Sequence, residues 1–459
     1  MKTISIYRKS ILAAVLVLFI FTSNFVDAQT SITTSKGNSY TINSSSSKNG
    51  GVRTYHVKNG QNDFRIEYEG DITLSNDDKD IVAISRGGFI EIKKSSFGTK
   101  RRIVIHNETG TLVKKYYVGW SEKPFHPEGK KWLADILPDI LRTTTIAAKS
   151  RVDRFYNKGG VNGVLSEVRK MKSDFVKAAY VKLLLEKNLS TNDLVKVIET
   201  TGNYIKSDHY VSQILKSNQK AFLKNDKTVT AYINATKNIK SDHYATGILK
   251  KVIEDKSISD KQLSSLLEIT KGIKSDHYLT QLLKSIMENR KMNDDNMSKI
   301  LTLTKDIKSD HYKVTILKTA LNNKSLSKKA HQQFLATIKD IKSDHYISSI
   351  ITEMMKNNNY NASSINTMVK MVDENIKSDH YVSTIYKKIA SKNLTENQLI
   401  MIIESSARTM SSSYSLTSVL VALSGQVNKS SEKVKNAYRT AAKKINSDTY
   451  YGRVMKAIN

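Results

Sequence analysis

The sequence predicts a mainly α-helical protein, an α-solenoid of about nine 34-residue helix pairs preceded by a small antiparallel β domain. Three observations carry that prediction. The pentapeptide Lys-Ser-Asp-His-Tyr occurs six times between residues 206 and 381, spaced by 34 residues four times and by 35 once. Apolar and polar residues alternate from residue 52 to 118, and a helical period replaces the alternation afterwards. The three prolines, Pro124, Pro127 and Pro138, lie between those regions, so no proline interrupts the array that follows.

The first residues predict export. Lys2, Arg8 and Lys9 are basic, Ile11 to Phe21 is apolar, and Val26-Asp27-Ala28 reads as a cleavage site before Gln29. Residues 1–28 are therefore expected to be a secretory signal peptide, with an apolar run too short to span a bilayer. No cysteine follows that run, which argues against a lipoprotein anchor, and no later stretch reads as a membrane span. The expected location is the periplasm or the exterior. The 459-residue chain has no cysteine, which excludes disulfides, thiolate metal centres and cysteine nucleophiles.

The net charge is +30, and +28 once the three basic residues and one acid of residues 1–28 are removed. Such a balance points to nucleic acid, anionic lipid or acidic glycan, or to a surface that only confers solubility. Export disfavours intracellular nucleic acid as the partner.

Residues 29–51 are rich in Ser, Thr, Asn and Gly and read as a flexible lead-in. Residues 52–120 read as the β domain. Phe64, Ile66 and Tyr68 alternate with Arg65 and Glu67; Ile72 and Leu74, then Ile81 to Ile84, follow. A Gly87-Gly88 turn leads to Phe89–Ile92, and Arg101–His106 and Leu112–Val118 flank a turn at Asn107–Gly110. About six strands in one sheet are expected, needing a cover for the apolar face. Residues 121–158 read as a connector and capping helix, with Trp132, Ile136, Ile140 and Leu141 on one face and Pro138 expected to kink or divide it.

The repeats occupy residues 159–459. Each unit reads as two helices, the second starting at the motif. Tyr210, Val211, Ile214 and Leu215, and likewise Tyr278, Leu279, Leu282 and Leu283, form one apolar face. Leu194, Val197 and Ile198 mark a first helix ending near Ile205. The motif serine or aspartate is expected to cap the second helix. Weaker copies at Ser173-Asp174-Phe175, Ser412-Ser413-Tyr414 and Ser447-Asp448-Thr449 bring the count to nine, degenerate at the ends as capping units should be.

The period matches tetratricopeptide repeats without their signature Trp, Leu-Gly and closing Pro, so the general form is TPR- or HEAT-like. More specifically, Asp80-Ile81, Gly87-Gly88-Phe89, Trp132-Leu133-Ala134, Leu137-Pro138, Leu141-Arg142 and Gly159-Gly160, followed by the Ser-Asp series, carry a resemblance. The chain resembles a little-characterised family of exported bacterial proteins with an N-terminal β domain and Ser-Asp-(His)-Tyr helical repeats. Similar repeats are fused to BlaR-type sensor metallopeptidases. A His-Glu-x-x-His motif is missing here, so the resemblance implies architecture and compartment but no peptidase activity.

The candidate site residues are those of the motif: Lys206-Ser207-Asp208-His209-Tyr210, Ser241-Asp242-His243-Tyr244, Ser275-Asp276-His277-Tyr278, Ser309-Asp310-His311-Tyr312, Ser343-Asp344-His345-Tyr346 and Ser378-Asp379-His380-Tyr381. Asp and His are zinc ligands, but equivalent helices pack about 8–10 Å apart and adjacent helix residues diverge. The favoured reading is therefore structural, a cap plus a packed His-Tyr pair, with no resident cofactor or metal. Asp77-Asp78-Lys79-Asp80 has calcium-ligand chemistry without a full ligand loop, so a polar turn is favoured. Lysines from Lys206 to Lys377 precede every motif serine and form a charge-balanced ridge. Six equal copies of one motif speak for a non-enzymatic scaffold presenting its repeat surface to another envelope protein. A basic binder of glycan, lipopolysaccharide or extracellular DNA, or of an anionic lipid surface, is the alternative, and a metal-dependent sensor or enzyme the third.

Overall fold

The computed structural model describes residues 30–33, 39–46, 51–59, 62–96, 98–254, 258–322, 326–356 and 362–458. The expected signal peptide, residues 1–28, lies outside the described residues. The chain divides into two compact units, one of residues 1–154 and 170–176, the other of residues 155–169 and 177–459.

In the first unit the strands are β1 (Thr30–Thr33), β2 (Ser39–Ser46), β3 (Arg53–Asn59), β4 (Asn62–Glu69), β5 (Ile72–Leu74), β6 (Ile81–Ile84), β7 (Phe89–Ser96), β8 (Thr99–Asn107), β9 (Leu112–Val118) and β10 (Ser121–Lys123). Eight of them form one sheet, ordered β1-β2-β3-β4-β7-β8-β9-β10, and β5 pairs with β6 separately. All of these pairings are antiparallel. The period-two pattern is realised across the strands: Ile66 faces Ile92, Ile92 faces Ile103 and Ile103 faces Tyr116. All four are buried. Their strand neighbours Arg65, Lys93, Arg102 and Tyr117 project from the other face.

Two strands, β1 and β2, fall inside the segment that composition assigns to a flexible lead-in. Serine and asparagine hide them, yet the ladder is a backbone property. Strand β2 pairs with β3 from Tyr40↔Asn59 to Ser46↔Arg53 irrespective of side-chain type.

Helix α1 (Lys130–Thr143) covers the apolar face. Trp132, Leu133, Ile136, Leu137, Ile140 and Leu141 join Ile66, Ile90, Ile92, Ile103 and Ile105 in one buried cluster. Burying each such leucine contributes about 1.5–3 kcal/mol. The expected division at Pro138 does not occur, because α1 runs unbroken through it. Pro138 and Ala134, the residue whose carbonyl loses its donor, are both part-exposed, so water can satisfy that group.

The second unit is an α-solenoid of paired helices. Among the described residues the second helices of the nine pairs begin at Asp174, Asp208, Asp242, Asp276, Asp310, Asp344, Asp379, Ser413 and Asp448, each one residue past a motif serine. Second helices pack on second helices in succession from Asp208–Ser217 to Asp448–Lys456, while first helices such as Thr191–Tyr204 and Asp226–Ala235 pack on one another. Val211, Ile214 and Leu215 are buried, as are Leu279, Leu282 and Leu283. The tyrosines of the apolar face are the exception: Tyr210 and Tyr278 are only half-buried.

Close approach between first helices is visible at Gly202. A Cβ there would stand 2.7 Å from Ala235 Cα and 2.8 Å from its Cβ. Gly202→Val is expected to cost about 1–2 kcal/mol through overpacking. Urea unfolding followed by circular dichroism measures this, and an unchanged midpoint would refute the close contact.

Candidate functional site

The motif residues stand in line along the N-terminal edge of the second helices. In each of the six full copies histidine is exposed, while serine, aspartate and tyrosine are half-buried. The lysine before each serine is exposed as well.

The aspartates do something the motif alone does not reveal. Asp208 Oδ2 accepts hydrogen bonds from the backbone N–H groups of Lys240 (3.0 Å) and Ser241 (2.7 Å), in the next unit. Asp242 repeats this with Lys274 (3.1 Å) and Ser275 (2.7 Å), and Asp276 with Lys308 (3.1 Å) and Ser309 (2.9 Å). Asp310 and Asp344 do the same to Lys342-Ser343 and Lys377-Ser378. Asp379 closes the series on Ser411 (2.9 Å) and Ser412 (2.6 Å). Each carboxylate also sits in the first turn of its own helix, where the dipole favours negative charge.

The serine cap expected from the motif needs correcting. Ser207, Ser275 and Ser378 occupy the N-cap with extended backbone, but their hydroxyls make no capping hydrogen bond; among the full copies Ser241 does accept from the Tyr244 amide, at 3.5 Å. The side-chain caps are found mainly on the first helices, at Ser190, Asn225, Ser259, Asn293, Ser327 and Thr395. The degenerate copies at Ser412 and Ser447 do cap their second helices. In the full copies the aspartate is a clamp between units, since two loop N–H groups without helical acceptors lie within its reach.

The rings form a ladder. His209 stands against its own Tyr210 at 5.2 Å between centroids and against Tyr244 of the next unit at 6.2 Å. The alternation continues without a break to Tyr381 and His380. Tyrosine hydroxyls lie 3.3–3.4 Å from the preceding histidine Nδ1 at Tyr244, Tyr278 and Tyr312. A tyrosine ring therefore separates successive histidines. Among the described residues no group of three or more His, Cys, Asp or Glu could hold a metal ion. Beside the ladder, Lys318, His345, Lys356, His380 and Tyr381 line a polar cleft of about 230 Å³.

One place departs from this sameness. Tyr386 is fully buried where other units carry Leu215, Leu249 or Leu283. Its hydroxyl bonds Ser405 Oγ at 2.5 Å and Asp373 Oδ1 at 3.2 Å, and Asp373 is paired with Arg408. Burial pushes the phenol well above its usual range.

The acidic run in the first unit is committed to protein cations rather than arranged as a calcium loop. Asp78 accepts from Arg151 Nε (3.1 Å) and Nη2 (2.8 Å) and is also paired with Arg154. Asp80 pairs with Lys114 at 2.6 Å. Asp77, whose carboxyl is held below its usual range, accepts from the Ser75 hydroxyl (2.6 Å) and the Lys79 amide (3.2 Å). The three carboxylates serve three different partners, which is why they do not converge.

A basic hollow on the outer face of the sheet, about 550 Å³ in volume, is absent from the candidates that motif spacing selects. Its sequence signals are Arg65, Lys93, Lys100 and Arg102, which look like ordinary solvated strand residues until the register aligns them on one face. Among the described residues no helix is long and apolar enough to cross a membrane.

No family model and no curated protein matches this chain. A solved structure described as "Computational Design of Self-Assembling Cyclic Protein Homooligomers" is similar over 70% of this chain and 94% of its own, at 11% identity and a TM-score of 0.11, a level that carries no argument.

Proposed function

We propose that the protein is a non-enzymatic scaffold of the bacterial envelope whose repeated Lys-His-Tyr edge holds an extended segment of another envelope protein. The supporting observation is the equivalence of the six rungs, each with an exposed lysine, an exposed histidine and a half-buried tyrosine. Helices packed about 8–10 Å apart match about three residues of an extended chain at ~3.3 Å each. A partner strand could therefore meet rung after rung in register. Catalysis, by contrast, needs one place set apart from its neighbours. Export through residues 1–28 and kinship with the exported repeat family belong to the same reading.

The test uses the protein to isolate partners from envelope extract and then measures the affinity of the principal one. His243→Ser, His277→Ser and His311→Ser together are expected to weaken it by roughly tenfold or more, since they remove three neighbouring contacts. Circular dichroism should stay unchanged. A partner held equally well by the triple variant would end this reading. The exposed lysines favour polyanion binding as the second reading, and binding that collapses steeply with ionic strength would select it.

A further inference from the structure

We infer that the outer face of the first unit's sheet is a binding site for an acidic oligosaccharide, a chain of sugar rings bearing carboxylates. The proposal is independent of the repeat edge. It rests on a hollow lined from that face by Arg65, Lys93, Lys100 and Arg102, with Asp63, Ser95 and Trp120 among them.

The strand register builds this surface. Arg65 lies opposite Lys93, and Lys93 opposite Arg102, so three cations cross three strands at about 4.8 Å intervals. Two residues along, on the same face, Asp63 lies opposite Ser95 and Ser95 opposite Lys100. Glu91 balances part of the first row, pairing with Lys93 at 2.6 Å and Arg102 at 3.2 Å. Among the described residues Arg65 and Lys100, on this face, have no carboxylate partner. Like charges held this close without a counter-charge create a local field that favours an anion.

Trp120 supplies the other half of the site. It stands in the turn between β9 and β10 and is 99% exposed, while the N–H of its neighbour Gly119 bonds the Lys100 carbonyl at 2.8 Å. The bond anchors the turn beside the cations. An indole left wholly in water forgoes the burial that such a side chain normally gains, and its faces are open for a flat apolar surface. The C–H face of a sugar ring is such a surface.

Three features favour a sugar acid over other polyanions. A single-stranded nucleic acid calls for a stacking platform for successive bases. Trp120 is the exposed ring in the hollow, and Tyr117 nearby already carries the Arg102 guanidinium 4.1 Å from its ring centroid. A membrane surface calls for several apolar side chains entering together, whereas Trp120 is followed by Ser121, Glu122 and Lys123. Asp63 and Ser95 place acceptors among the cations, suited to sugar hydroxyls and ill-suited to a dense row of phosphates.

The probe is a purified galacturonate oligomer, titrated against the full chain by calorimetry and by tryptophan fluorescence. Trp132 is 6% exposed and Trp120 99%, and these are the chain's two tryptophans, so a ligand-induced change reports on Trp120. Trp120→Ala is expected to weaken binding by about tenfold, and Arg65→Glu with Lys100→Glu by roughly a hundredfold. Lys443→Ser, at an exposed helix end outside both surfaces, should leave it unchanged. Retained Trp132 emission shows that the variants are folded. Absence of binding to the oligomer, or equal binding by the Trp120→Ala and charge-reversed variants, would overturn the proposal. So would tighter binding of a single-stranded oligonucleotide or of phosphatidylglycerol vesicles through the same residues.

Discussion

Asp78→Ala is expected to cost about 3–5 kcal/mol of the first unit's stability, because it removes the carboxylate from a buried ion pair and leaves the cation behind. Arg151 is 1% exposed, and its Nε and Nη2 both reach Asp78 Oδ2. Arg154 shares the same carboxylate and also donates to the Ser75 carbonyl at 2.8 Å. The latch thus ties the turn between β5 and β6, within the first unit, to residues 148–154 at the start of α2 (Ala148–Lys170). Asp78 has φ +59, a left-handed conformation that aspartate and asparagine tolerate better than alanine. Asp78→Asn separates the two effects, since it keeps an acceptor and the backbone preference while losing the charge. It should fall between the native chain and Asp78→Ala. Urea unfolding followed by Trp132 emission gives the midpoint. Equal midpoints for the native chain and Asp78→Ala would rule out the latch.

The second large effect is expected at the inter-unit clamp. Asp276→Ala should cost about 1.5–3 kcal/mol, the range for hydrogen bonds to a charged group, as the N–H groups of Lys308 and Ser309 lose their acceptor. Ser275→Ala should change stability by no more than about 0.5 kcal/mol, because its hydroxyl makes no capping bond. Nearest-neighbour coupling in a stacked array should spread the loss across adjacent units rather than abolish folding. Circular dichroism in urea follows the array. A larger loss for Ser275→Ala than for Asp276→Ala would restore the serine as the cap and remove the clamp.

Much of the architecture was legible without coordinates. Six identical pentapeptides in register announce a repeat, and Val211, Ile214 and Leu215 lie on one face of any helix that contains them. The strands from β4 to β9 were legible through alternation such as Phe64, Ile66 and Tyr68. Strands β1 and β2 were not, because backbone pairing leaves no trace in a Ser-Thr-Asn segment. Pro138 misled for a related reason: the cost of a helical proline depends on whether the orphaned carbonyl meets water, which only the packed helix decides.

By itself the sequence determined the unit length, the apolar faces and the line of Lys, Asp, His and Tyr at each helix start. These are local properties, set by periodicities of two and 3.6 residues and by identity at fixed spacing. Tertiary structure decided what those residues do. Asp276 could have capped its own helix, and stacking instead brought two N–H groups of the next unit to its oxygen, 32 and 33 residues away in sequence. Arg65, Lys93 and Arg102 are scattered along the chain, and strand register set them side by side with Trp120 at the rim. Contacts of that kind depend on how elements pack, and no spacing rule within a single element encodes them.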